Sequence, residues 1–144
     1  RGKKILLVSQ MHQAVDNALE KLMKDPNVPV LRFGNNPANF RYGTQAVWAG
    51  NQTTGLNEGV LRVFQERRAR AGGYVLAATD IGVATDWALG RMRFLTDDGV
   101  DMVIMDEASR ETLAGALVPL SYLNARGKAI FVGDVQQLPP FGLT

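Results

Sequence analysis

Asp106 and Glu107 stand side by side directly after the apolar run Met102-Val103-Ile104-Met105. Successive side chains of a strand point to opposite faces, so a strand ending this way presents two carboxylates to two sides of its tip. The arrangement suits hydrolysis of a nucleotide. Asp106 would hold Mg²⁺, directly or through water, against the terminal phosphates. Glu107 would polarise the attacking water. The same pair also reads as a helix N-cap with an acid in the first turn. A second signal lies downstream. The apolar run Ala129-Ile130-Phe131-Val132 reaches Gly133-Asp134, then Gln137 and the pair Pro139-Pro140. Gln137 could touch a terminal phosphate and sense its loss, and the prolines would stiffen the segment that follows. A plain strand-to-turn exit also uses Gly and Pro.

These groups need strands to deliver them. Ile5-Leu6-Leu7-Val8 is a short apolar run suited to a buried strand. Ala14, Val15, Ala18, Leu19, Leu22 and Met23 recur at spacings of three and four, which predicts an amphipathic helix that Asp25-Pro26-Asn27 stops. Val28 to Phe33 reads as a second strand. Residues 35–55 show no regular period. A helix is expected from Leu56 to Ala71, with Leu56, Val60, Leu61, Val63 and Phe64 inward and Gly72-Gly73 closing it. Tyr74 to Ala78 is a third strand, and a short helix is expected through Trp87-Ala88-Leu89. Met102 to Met105 is a fourth strand. Glu111 to Leu123 reads as helical, with a break possible at Pro119. Ala129 to Val132 is a fifth, buried strand.

Strands that are continuous apolar runs and alternate with helices predict an α/β fold, a parallel sheet with helices on both faces. Ligands of such sheets sit at the carboxyl ends of the strands. Four polar clusters fall there: Ser9-Gln10, Thr79, Asp106-Glu107 and Gly133-Asp134. Any strand must end in something polar, but four such ends in one sheet are a pattern.

Composition narrows the chemistry. The chain has 144 residues, the size of one ordinary domain. It contains no cysteine and one histidine, His12, so thiol nucleophiles, disulfides and multi-histidine metal sites are excluded. No apolar run approaches the ~18 residues of a membrane span, so no membrane partner is expected and a cytoplasmic setting is the default. Formal charge is +2 overall but unevenly spread. Residues 1–72 carry 11 basic and 5 acidic residues, and residues 73–144 carry 5 and 9. A basic half could face phosphates and an acidic half could hold a cation, or both could be ordinary surface.

Taken together, the motifs resemble the first motor domain of a superfamily 1 helicase, in the branch of the nonsense-mediated-decay helicase and its bacterial and viral relatives. Asp106-Glu107-Ala108-Ser109 is similar to that family's motif II. Val132 to Pro140 matches its motif III, Val-Gly-Asp-x-x-Gln-Leu-Pro-Pro, at every fixed position. Val8 to Asn17, centred on Ala14-Val15-Asp16-Asn17, resembles motif Ia. Val75-Leu76-Ala77-Ala78-Thr79 with Gly82 is similar to the next nucleic-acid-contacting motif.

The resemblance implies a RecA-like P-loop NTPase core, present in part, with ATP and Mg²⁺ as cofactors. It implies Asp106 as Mg²⁺ ligand, Glu107 as catalytic base, and Gln137 on the γ-phosphate with Gly133 and Asp134 shaping its turn. Ser9, Gln10, His12 and Thr79 would grip a single-stranded nucleic acid, DNA in preference to RNA. A second motor domain of the same parent chain would be the other partner. Met11 departs from the small hydroxyl residue common in motif Ia. The family's phosphate loop is missing and would precede Arg1, and the second motor domain would follow Thr144. Both ends therefore read as cut from something longer, and the isolated chain is expected to be inactive. Residues 35–73 read as a short insertion in place of a larger stalk or accessory domain. Arg62, Arg67, Arg68 and Arg70 could contact nucleic acid or form a solvated helix face. Trp48 and Trp87 could stack bases or pack. Two other readings compete: an inert nucleic-acid or protein-binding scaffold derived from a motor domain, and a metabolic phosphotransferase with a similar sheet.

Overall fold

A computed structural model of the chain describes residues 2–10, 12–25, 27–33, 48–51, 55–79, 99–106 and 113–133. In chain order the elements are β1 (Lys4–Ser9), α1 (His12–Leu22), β2 (Val30–Phe33), β3 (Trp48–Asn51), β4 (Gly55–Leu56), α2 (Glu58–Ala71), β5 (Tyr74–Thr79), β6 (Val100–Asp106), α3 (Leu113–Leu120) and β7 (Leu123–Phe131). The strands form one seven-stranded sheet in the order β4-β3-β2-β5-β1-β6-β7. Every pairing is parallel except β3 with β4. β1 is central. The chain leaves it toward β2, returns to β5 on one flank of β1, and crosses to β6 on the other flank.

Alternation along the strands sorts the apolar side chains onto two faces. Leu6, Val8, Leu76, Ala78, Val103 and Met105 join Phe64 of α2 in one cluster, with Val118 and Leu120 of α3 packed against it. Leu7, Val75, Ala77 and Val30 join Val15 and Leu19 of α1 in the other. Helices therefore cover both faces, as the continuous apolar runs require. Each fully buried leucine contributes about 1.5–3 kcal/mol to the folded state.

The helix spacing on α2 reads differently in detail. Phe64 is buried and Val60 and Leu61 pack on the core, but Val63 is 50% exposed. At 100° per residue Val63 falls off the stripe formed by residues 60, 61, 64 and 68. Asn57 caps the helix by accepting from the Val60 N–H, and Gly72 closes it at φ 75°, donating to the Arg68 carbonyl at 2.8 Å. Leu56 lies in β4, outside the helix.

Three further differences bear on the site. Within residues 35–73, the described segments contribute β3 and β4 to the sheet and Phe64 to the core, in addition to the expected helix. β7 begins at Leu123, six residues ahead of the expected strand, because Asn124 to Gly127 are absorbed as a bulge: Val100 pairs with Leu123 and Met102 next with Lys128. β7 is also an edge strand, not a buried one. Ile130, Phe131 and Val132 are each exposed by about two-fifths, since no strand lies beyond β7 among the described residues. The helix expected through Trp87 lies outside the described residues. Among the described residues, no helix is long and apolar enough to cross a membrane.

Candidate functional site

Three strand ends meet in register at the carboxyl edge of the sheet. Ser9 of β1 pairs with Thr79 of β5 on one side and with Asp106 of β6 on the other. Two residues earlier, Leu7, Ala77 and Ile104 all belong to the cluster under α1, so alternation turns Ser9, Thr79 and Asp106 toward that same face. Ser9 is fully buried, Thr79 is 7% exposed and Asp106 is half-buried. The Val132 N–H donates to the Met105 carbonyl at 2.9 Å, which extends the β6–β7 ladder so that Val132 comes level with Asp106 and Gly133 follows one residue beyond. Gln10, directly after β1, is exposed, and α1 begins at His12. The amino end of α1, with its unpaired N–H groups and partial positive charge, thus starts from the same edge.

The row joins five sequence-predicted residues: Ser9, Thr79, Asp106, Gly133 and, at its rim, Gln10. His12 enters as the first residue of α1. Glu107, Asp134 and Gln137 lie outside the described residues. So do Gly82 and the Pro139-Pro140 pair.

The donor set suits a hard cation. A carboxylate and a hydroxyl stand on adjacent strands at Asp106 and Ser9. Mg²⁺ favours oxygen ligands and takes one or two protein groups, completing its shell with water and substrate phosphate. Among the described residues there is no cluster of three or more acids or histidines. The carboxylate and hydroxyl present are compatible with the sparse Mg²⁺ type of site.

Two of the basic side chains expected as candidate nucleic-acid contacts hold the fold. Arg67 donates to the Val28 carbonyl at 3.3 Å, and the Arg68 guanidinium lies 5.3 Å from the centre of the Tyr74 ring. Tyr74 in turn meets Phe64 edge-on at 5.7 Å. Arg62 and Arg70 are exposed. An open cavity of about 500 Å³ lies at the opposite edge, among Lys3, Asp25, Pro29 and Tyr74. That is the amino-terminal side of the strands, where parallel sheets do not place their ligands.

Sequence reasoning passed over two polar residues with specific work. Arg32, in the middle of β2, is wholly buried, and its Nε donates to Asp16 Oδ1 of α1 at 2.9 Å. A lone arginine inside the run Val30-Leu31-Arg32-Phe33 was the available signal. Asp101, at the start of β6, accepts from the Lys4 N–H at 2.9 Å and from Asn124 Nδ2 at 2.7 Å, and so clips β1 and β7 to β6. The Lys4 backbone hydrogen bond, then that from Asn124, hold its carboxyl below the usual 3.8, with burial opposing and the Lys3 and Lys4 charges assisting.

A strand-end row of this kind serves many α/β proteins, and comparison with known proteins narrows it. The family model of the AAA domain matches residues 48–144, most of the chain. The chain belongs to this helicase-family AAA domain. It is 31% identical over 140 residues to the "DNA replication ATP-dependent helicase/nuclease DNA2" of Saccharomyces cerevisiae, covering 96% of this chain and 8% of that protein. It is 27% identical over 160 residues to the "Putative ATP-dependent RNA helicase ECM32" of the same yeast, covering 95% of this chain and 14% of that protein. The AAA domain described here therefore spans a small part of the length of the curated relatives it matches. Its kinship to superfamily 1 helicases agrees with the α/β sheet, which has the RecA-like form of an AAA domain.

Proposed function

We propose that this AAA domain supplies the water-activating and Mg²⁺-binding carboxylates of an ATP-dependent helicase, together with part of its single-strand track. The domain would work within a longer protein of the nonsense-mediated-decay-helicase-like branch, which adds the phosphate loop and a second motor domain. The observation that carries the reading is the in-register row Thr79–Ser9–Asp106 at the carboxyl edge of three adjacent parallel strands.

Asp106 would hold Mg²⁺, which when bound neutralises charge on the β- and γ-phosphates. Glu107, the next residue, would face the other side of the strand tip. There it would accept a proton from the water that attacks the γ-phosphorus, while the bond to the ADP oxygen breaks. Gly133 follows β7 one residue beyond the level of Asp106 and leads in sequence to Asp134 and Gln137, whose amide would report the γ-phosphate. Gln10 and His12 would grip the sugar–phosphate backbone of the strand, with the buried Ser9 and Thr79 holding the edge beneath them. Contacts of this kind ignore base sequence, as a translocating motor requires. DNA is favoured over RNA as the strand, in keeping with the first relative's name.

The test is steady-state ATP hydrolysis by the full-length protein without nucleic acid, with single-stranded DNA and with single-stranded RNA. The expected result is hydrolysis stimulated by one strand type and lowered about 100-fold or more in Glu107→Gln, with nucleotide binding retained. No hydrolysis under any condition would overturn the motor reading in favour of the scaffold. Hydrolysis indifferent to nucleic acid would keep the ATP site and remove the track.

A further inference from the structure

We infer that Arg32 and Asp16 form a positioning device that sets where the head of α1 stands above the strand-end row, and so sets the affinity of the single-strand track. The inference rests on the proposed role of Gln10 and His12 in that track.

The pair is unusual for its surroundings. Arg32 has no exposed surface, and the cluster on its face is otherwise Leu7, Val15, Leu19, Val30, Val75 and Ala77. Burying a guanidinium there is expensive, and an apolar side chain of similar volume would fill the space at less cost. Packing alone therefore does not account for an arginine. What an arginine adds is direction. Its Nε–H meets Asp16 Oδ1 at 2.9 Å, and its Nη1 donates to the Phe33 carbonyl at the end of its own strand. The guanidinium is planar and rigid, so fixing it on β2 also fixes the point on α1 that it reaches.

That point is well chosen. Asp16 lies one helical turn after the start of α1 at His12. Arg32 is level with Ala77 of β5, which is level with Leu7 of β1. Two residues further along those strands, on the same face, come Thr79 and Ser9. The ion pair thus sits one pleat below the row and ties the first turns of α1 to it. Apolar contacts through Val15 and Leu19 hold the helix down but resist sliding and rotation less, because they have no preferred direction. Movement of about 1 Å at the head of the helix is enough to weaken a positioned contact substantially.

The test uses the full-length protein and fluorescein-labelled single-stranded oligonucleotide. Arg32→Met with Asp16→Leu should melt at or above the unchanged protein, whereas Arg32→Met, which removes one member of the pair only, is expected to fold but to melt below it. The half-saturating strand concentration of Arg32→Met should rise about tenfold, with hydrolysis at saturating strand within about twofold. Arg32→Lys, which keeps the charge and part of the reach, should recover part of that loss. If Arg32→Met alone does not fold, Arg32→Met with Asp16→Leu removes both charges and takes the same readout. A folded variant with unchanged strand affinity would overturn the inference. So would failure of both variants to fold, since the pair would then serve folding and not position. Gln10→Ala is the control for the reading beneath. If it leaves strand affinity unchanged, the track itself fails; if it weakens binding and Arg32→Met does not, only the positioning role fails.

Discussion

Asp101 shows how one side chain can tie three strands at the end of the sheet remote from the chemistry. Its two hydrogen bonds hold β1, β6 and β7 together at their amino ends, and they favour the ionised carboxylate. The folded-state pKa is depressed, so the unfolded chain binds the proton more readily. The stabilisation is therefore fully present above the ordinary carboxylate value of 3.8 and is lost as pH falls through the lower folded value. Asp101→Asn should cost about 1–2 kcal/mol near neutral pH, a modest figure for a partly solvated group. Chemical denaturation of both proteins should show that difference shrinking below about pH 4. A difference independent of pH would refute the ionic part of the argument. Residues of this kind were hard to see in the sequence. Asp106 was legible because it ends an apolar run next to a second acid. Asp101 and Arg32 were not, because their partners lie far away in the chain, at Lys4, Asn124 and Asp16, and become neighbours only once the strands are ordered.

Among the elements, β6 depends on how it is entered. Gly99 stands at φ +68°, and a Cβ there would lie 2.7 Å from the Tyr122 carbonyl oxygen. That same carbonyl accepts from the Val100 N–H at 2.8 Å, the first bond joining β6 to the turn before β7. Gly99→Ala therefore meets both an unfavourable backbone region and a close contact with backbone, which cannot swing away. The expected loss is about 2 kcal/mol or more by chemical denaturation, against near neutrality at an open surface glycine. β1, β5 and β6 could be read directly, since continuous apolar runs mark strands buried on both faces. β3 was hidden because Trp48-Ala49-Gly50-Asn51 has no alternation and little β propensity; its pairing with β2 supplies what its sequence does not. The start of β7 was hidden for the opposite reason. Asn124 and Gly127 are turn-forming types, and here they lie in a bulge within a strand.

At the scale of the whole molecule, the described helices cover the two faces of the sheet unequally. Among the described residues, α1 packs mainly over β1 and β5 on its face of the sheet. Ile104 is only half-buried there. On the neighbouring β7 Ile130 is exposed by 41%, and Val132, just after that strand, by 45%. Val132 also flanks Asp106, so the uncovered apolar area borders the strand-end row. β7 pairs with β6 alone among the described residues, and its outer backbone groups are a template for another strand. The 144-residue chain on its own is therefore expected to self-associate as its concentration rises. Ile130→Lys with Val132→Lys places two charges on one face of the edge, the device by which natural edge strands resist pairing. Light scattering should then report a monomer across the range in which the unchanged chain associates. Because both substitutions lie outside the buried clusters, the melting temperature should change little. A chain that stays monomeric without them would mean that residues beyond the described ones already cover this edge. A double variant that still associates would move the sticky surface elsewhere, with exposed Leu117 of α3 the next place to look.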